Sequence, residues 1–194
     1  MLQPKEMFKQ GDGLLVVDVQ NDFCPGGALA IEQGDEIIPE LNIWIEAAQE
    51  LEVPIYLSRD WHPEGHPSFS TDTGPWPVHC LQDTKGALFH PELKVPHEAV
   101  VVTKGVRFDQ DQNSVFDETG FADKLFRDGV RRLFVGGLAL DVCVLASVLD
   151  ARLQGFEVNV LLSACRSISP EGMAKALDKM QKVGAKMIEK SARD

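Results

Sequence analysis

The sequence has no apolar run approaching the ~20 residues that a membrane span needs, and its opening "MLQPKEMFKQGDG" has no apolar core of the signal-peptide kind. A cytoplasmic protein without a membrane partner is expected. Positive charge is scarce: 19 Lys+Arg against 30 Asp+Glu give a formal charge of −11. Such a chain gains little from releasing counterions off a nucleic-acid backbone, so nucleic acid is not expected as a partner. Cysteine is sparse too. Cys24, Cys80, Cys143 and Cys165 include no C-x-x-C pair, which argues against a zinc knuckle or a disulfide framework. Repeats, low-complexity tracts and linkers are also lacking, and 194 residues suit one domain, 1–194, with a substantial core. A homo-oligomer is left open.

What is present is an alternation of short apolar runs with helical patterns, the signature of parallel β-α-β units in a three-layer α/β domain. The apolar runs predict strands at 14–19, 53–58, 99–103, 131–137, 156–162 and 185–190. Apolar residues at 3.6-residue spacing predict helices over 35–51, 121–127 and 141–154. Ser169 before Pro170 is an N-cap followed by proline at the first helical position, opening a last helix whose Met173, Leu177, Met180 and Val183 form a core-facing stripe. Between 60 and 98 the pattern breaks. Six of the chain's 11 prolines fall there, and a loop of that length inside a compact domain is usually functional or disordered; its aromatic and histidine content favours function.

In an open α/β sheet, ligands bind beyond the carboxyl ends of the strands. Asp18 ends the first run, Asp60 follows the second, Lys104 ends the third, and Cys143 opens the helix after "RRLFVGG". Taken singly, Asp18 reads equally as a turn cap, Lys104 as a solvated strand end and Cys143 as a core thiol. Jointly they form a plausible activated nucleophile. A cysteine in the first helical turn beside a lysine is expected to have a lowered pKa, and a nearby carboxylate can take its proton. Gly136-Gly137 permits a tight turn whose backbone N–H groups face a reacting oxygen.

A second set lies in "RDWHPEGHPSF" and "GPWPVHC": Asp60, His62, His66 and His79 gather nitrogen and oxygen donors suited to zinc, iron or manganese. They read alternatively as unrelated loop residues with hydrogen-bonded imidazoles. Phe23, Trp61, Phe69 and Trp76 lie near these groups in sequence; they suit a sandwich around a planar ligand, while Trp61 and Phe69 read better as the loop's own apolar core.

The ordered segments "VVDVQNDFCPGGAL", "SRDWHPEGH", "GPWPVHC", "VVTKG" and "GGLALDVCV" resemble the nicotinamidases among the isochorismatase-like cysteine hydrolases, over about 14–190. The resemblance implies a six-stranded parallel sheet of order 3-2-1-4-5-6 with helices on both faces. It implies a triad of Asp18, Lys104 and Cys143, and one divalent metal, zinc with iron or manganese as alternatives, on Asp60, His62 and His79. It further implies a cis peptide at 138–139, oxyanion donors at Ala139 and Cys143, and Phe23 and Trp76 flanking a pyridine ring. The chain departs from the family pattern at Leu140, where a small hydroxyl residue is common, and His66 is left unassigned. The implied substrate is nicotinamide, with pyrazinamide as an analogue. Two other readings stand beside this one. One is an isochorismatase-like amidase acting on another small amide; the other is a phospho-acceptor switch, which also sets acids and a lysine at strand ends but has no use for Cys143.

Overall fold

The computed structural model describes residues 3–71 and 74–189. A short helix α1 (Pro4–Met7) leads into β1 (Asp12–Val17), followed by α2 (Ile38–Glu50), β2 (Ile55–Asp60), β3 (Val100–Lys104) and α3 (Phe121–Arg127). Then come β4 (Arg132–Gly137), α4 (Leu145–Leu153), β5 (Glu157–Cys165), α5 (Pro170–Lys182) and β6 (Lys186–Ile188). All strand pairs are parallel, in the order β3-β2-β1-β4-β5-β6. Lys190, the last residue of the predicted sixth strand, lies outside the described residues.

Over 14–17 strand β1 is apolar because both of its faces are covered. Leu14 and Val16 pack with Leu41, Trp44, Ile45 and Ala48 of α2. Leu15 and Val17, pointing the other way, pack with Leu125 of α3, Val148 of α4 and Met180 of α5. The result is helix, sheet, helix, with the core split by the sheet. From the centre of the sheet the connections run in opposite directions, β1 toward β2 and β4 toward β5. The crevice beyond the carboxyl ends of β1 and β4 is therefore the topological switch point.

Several element boundaries differ from the sequence expectation. Strand β1 starts two residues earlier, since Asp12 is paired with Arg132 of β4 (2.7 and 2.8 Å) and a carboxylate is tolerated there. It stops at Val17, because Asp18 adopts a left-handed φ of +49° and turns the chain out of the sheet. Strand β2 begins after Pro54 and continues through the polar Ser58-Arg59-Asp60, so Asp60 is its tip instead of following it. On α5, Ser169 caps as expected, accepting from Gly172 N–H at 3.0 Å. The apolar stripe holds in part: Met180 is buried and Leu177 packs against the same cluster, but Met173 and Val183 are exposed, and Ala176 completes the buried face.

Candidate active site

Four adjacent strands deliver the polar residues of the crevice. Lys104 ends β3, Asp60 ends β2, Asp18 follows β1, and Cys143 lies in a wide π-type turn, Leu140–Val144, between β4 and α4. Gly137 closes β4 at a φ of +132°; a Cβ there would meet the Val17 carbonyl oxygen at 2.1 Å, so this close approach requires glycine. The Leu138–Ala139 peptide that follows is cis.

Lys104 is wholly buried, and its ammonium is the hub. Its Nζ lies 2.8 Å from Asp18 Oδ2, 2.6 Å from Asp60 Oδ1 and 3.5 Å from Cys143 Sγ. Ser58, two residues before Asp60 and on the same side of β2, donates to Asp18 Oδ1 at 2.6 Å. Asp18 Oδ2 touches the ammonium but accepts no aligned hydrogen bond, which leaves a buried lone pair beside the sulfur. A carboxylate oxygen of Asp18, one of Asp60 and Cys143 Sγ lie within 4.8 Å of one another.

The two carboxylates are driven apart. Burial is the largest influence on Asp18 and raises its pKa, with the Asp60 charge adding to the rise and Lys104 opposing it. Burial also acts upward on Asp60, but Lys104 and His62 outweigh it and hold that carboxyl well below the usual range. Burial opposes the Lys104 cation too, yet Asp18 and Asp60 raise its pKa well above the ordinary value. Of the two carboxyls, Asp18 is the one whose proton affinity is raised and Asp60 the one whose proton affinity is lowered. Cys143 departs from expectation: burial pushes its thiol well above the usual value, and Lys104 does not compensate. The sulfur rests as a thiol, so its proton must be removed during reaction.

The second donor set assembles beside the first. Ligand atoms of Asp60, His62 and His79 lie within 4.8 Å of one another. The His62 Nδ1 hydrogen-bonds the Gly105 carbonyl at 2.8 Å, and the His79 Nδ1 the Pro77 carbonyl at 2.8 Å. A carbonyl only accepts, so Nδ1 carries the proton in both rings and Nε2 presents a lone pair inward. His62 Nε2 is buried, has no hydrogen-bond partner among the described residues, and lies 3.7 Å from Asp60 Oδ2. Two imidazole nitrogens and a carboxylate, each oriented from behind, fit a divalent cation of the zinc, iron or manganese type. Gly105 has a φ of +69°, and a Cβ there would meet the His62 ring at 2.5 Å. His66 stacks on His62 with ring centroids 4.1 Å apart and hydrogen-bonds Ser68 through Nδ1.

One pocket, with an empty volume of about 400 Å³, joins the two sets. Cys143 and Ala139 form part of its wall, His62, His79 and Asp60 another, and Phe23 and Trp76 line it as well. The Phe23 ring lies 5.5 Å from that of His79. Phe69 is buried against the three histidine rings, and Trp61 is half-buried under the Arg59 guanidinium, so both serve the loop's own packing. Leu140 packs in the core beneath α4, leaving Val142 and Ile168 on the pocket wall. Sequence reasoning missed Ser58, Gln20, Asp111 and Asn113. Ser58 was detectable, since it alternates with Asp60 along one strand face; Asp111 and Asn113 line the pocket from an irregular segment without periodicity.

Buried acids, a lysine and a cysteine at the switch point of a doubly wound sheet define an α/β enzyme that works on a small molecule enclosed beyond the strand ends. The chain belongs to the isochorismatase family, whose Isochorismatase domain matches residues 12–192. It is 37% identical over 195 residues to a nicotinamidase of Escherichia coli (strain K12), covering 89% of this chain and 92% of that one. Among solved structures it is similar to the pyrazinamidase of Pyrococcus horikoshii in complex with zinc, with a TM-score of 0.90 and 42% identity over 93% of this chain and 99% of that one. It is also similar to PnC1 from L. infantum in complex with nicotinate, with a TM-score of 0.85 and 33% identity over 92% of each chain.

Proposed function

We propose that this protein is a nicotinamidase, hydrolysing nicotinamide to nicotinate and ammonia through a thioester on Cys143 and thereby serving NAD salvage. The observation that carries this reading is one pocket whose wall holds both Cys143, backed by Lys104 and Asp18, and the Asp60, His62 and His79 donors. Asp60, His62 and His79 would hold a divalent ion, zinc first and iron or manganese as alternatives, which would supply a Lewis acid for the pyridine nitrogen. Zinc is favoured by the donor set and by the zinc complex of the P. horikoshii relative. The chain acts as one domain, with its 60–98 segment contributing the two histidines.

Phe23 and Trp76 hold the ring by its faces, and the carboxamide carbon is then presented to Cys143. Asp18 Oδ2 takes the proton from Sγ as the sulfur attacks, and the Lys104 ammonium, 3.5 Å from the sulfur, stabilises the thiolate as it forms. Backbone N–H groups of Ala139 and Cys143 receive the developing oxyanion; one such donor is worth about 10²–10³ in rate. Asp18 passes its proton to the leaving nitrogen, the C–N bond breaks, and ammonia departs from a thioester. Asp18 then takes a proton from water, the hydroxide adds to the thioester, the C–S bond breaks, and Asp18 returns the proton to sulfur. A carboxyl whose pKa is raised by burial is suited to this alternation between base and acid.

Nicotinamide-dependent ammonia release, measured beside metal content per chain, tests the assignment. Turnover of nicotinamide, and of pyrazinamide with the same ring nitrogen and carboxamide, is expected. A marked preference for a different small amide would move the protein to an isochorismatase-like amidase of another substrate, and absence of any ammonia release would refute the hydrolase reading.

A further inference from the structure

Gln20 is a wholly buried polar side chain that the reaction does not use. Its Nε2 donates to the Asp60 carbonyl at 2.7 Å and to the Ala87 carbonyl at 2.8 Å, and its Oε1 accepts from Asp60 N–H at 2.8 Å. The amide thus engages both backbone groups of one residue, as a neighbouring strand would. The ladder between β1 and β2 ends with Val17 opposite Ser58 and Asp18 N–H donating to the Ser58 carbonyl at 3.2 Å. One rung further, at Asp60, β1 has left the sheet because of the left-handed Asp18. A carboxamide carries the same donor and acceptor as a peptide unit, and that of Gln20 fills the missing rung.

We infer that Gln20 is a positioning residue that fixes the tip of β2 and, through it, the Asp60 carboxylate; this rests on the reading of Asp60 as a metal ligand. Asp60 is the one side chain shared by both halves of the site, with Oδ1 on Lys104 and Oδ2 toward His62. On its β3 side the tip is held by Trp61 N–H donating to the Lys104 carbonyl at 3.0 Å. On its β1 side Gln20 does the holding, and it ties the same point to Ala87 of the long loop. A functional constellation tolerates only about 0.5 Å of misplacement, so an unheld tip loses metal before it loses the fold.

The test uses Gln20→Met, which is neutral and nearly isosteric, with cobalt(II) as the probe. Substitution of a residue that orients a metal ligand is expected to weaken metal binding about 10–100-fold. We expect that loss, with an altered cobalt visible spectrum, in the full chain. Tyr56→Phe is the stability control: it removes the hydrogen bond to Asp128 from Tyr56, four residues before Asp60 toward the other end of β2, and cobalt affinity and spectrum should be unchanged. If Gln20→Met does not fold, Gln20→Asn, which keeps the amide but withdraws it by one methylene, is expected to show the same loss. Unchanged cobalt affinity and spectrum in a folded Gln20 variant would overturn the positioning role alone. Failure of the unaltered chain to bind cobalt would remove the metal reading and this inference with it, whatever the result for ammonia release.

Discussion

Replacement of Lys104 by methionine isolates the charge that holds the site together. The ammonium lies 2.8 and 2.6 Å from two buried carboxylates. At an effective dielectric of about 20, each attraction is roughly 6 kcal/mol. Desolvation of the three charges cancels much of that, and removing one partner of a buried ion pair costs about 3–5 kcal/mol. With a urea slope of about 2–3 kcal/mol/M for a chain of this size, the unfolding midpoint should fall by about 1–2.5 M at pH 8. The deficit must depend on pH, and the sign is set by Asp18. Burial already raises its pKa above 3.8 against the pull of Lys104, and without that pull it rises further. A group whose folded pKa is raised contributes stability that is fully present below its unfolded value and lost as pH rises through the folded value. Lys104→Met should therefore lie closer to the unaltered protein at pH 5 than at pH 8. Urea unfolding of chelator-treated protein, followed by tryptophan fluorescence at both pH values, measures this. Equal deficits at the two pH values, or none at pH 8, would refute the account of a cation shared by two acids.

Cys143→Ala should abolish ammonia release while leaving nicotinamide and metal binding intact; residual turnover would rule out a covalent route. Asp18→Asn is expected to lose at least ~10²-fold in kcat, the low end for a general acid–base group, and unimpaired turnover at neutral pH would exclude it as the shuttle. Because Asp18 must be unprotonated to accept the thiol proton and burial raises its pKa, the acidic limb of kcat/KM should lie above the ordinary value of 3.8. An acidic limb at or below that value would contradict the burial argument. His62→Ala should lower bound metal per chain and weaken nicotinamide binding, and full metal occupancy in that variant would exclude His62 as a ligand.

The strand and helix alternation was legible in the sequence because the sheet is buried on both faces and its central strands carry apolar runs, at 14–17 in β1 and 133–135 in β4. The errors concentrate where function overrides pattern. Val19 reads as strand by hydrophobicity, but the left-handed Asp18 excludes it; Arg59-Asp60 reads as loop by polarity, yet forms the tip of β2. Part of the polar cluster in the crevice was legible because Asp18, Asp60 and Lys104 each fall at a strand end. Protonation within it was not: a helix terminus and a lysine near Cys143 suggest a lowered pKa, whereas the burial that raises it instead exists only once the chain is packed. Gln20 was hidden for a related reason, since its role follows from where β1 stops and not from its own neighbours in sequence.

The alternation along β2 gives the site a use as a gauge of assembly. Ser58 and Asp60 reach Asp18 and Lys104 only in the register that sets Val17 opposite Ser58 and Asp60 opposite Lys104. A slip of one residue would turn Leu57 and Arg59 to that side and place a second cation against the ammonium. Partners 39 to 44 residues apart in sequence must all be aligned before any proton can move. During refolding, therefore, returning activity should report the registration of four strands, and it should lag behind signals that follow collapse alone.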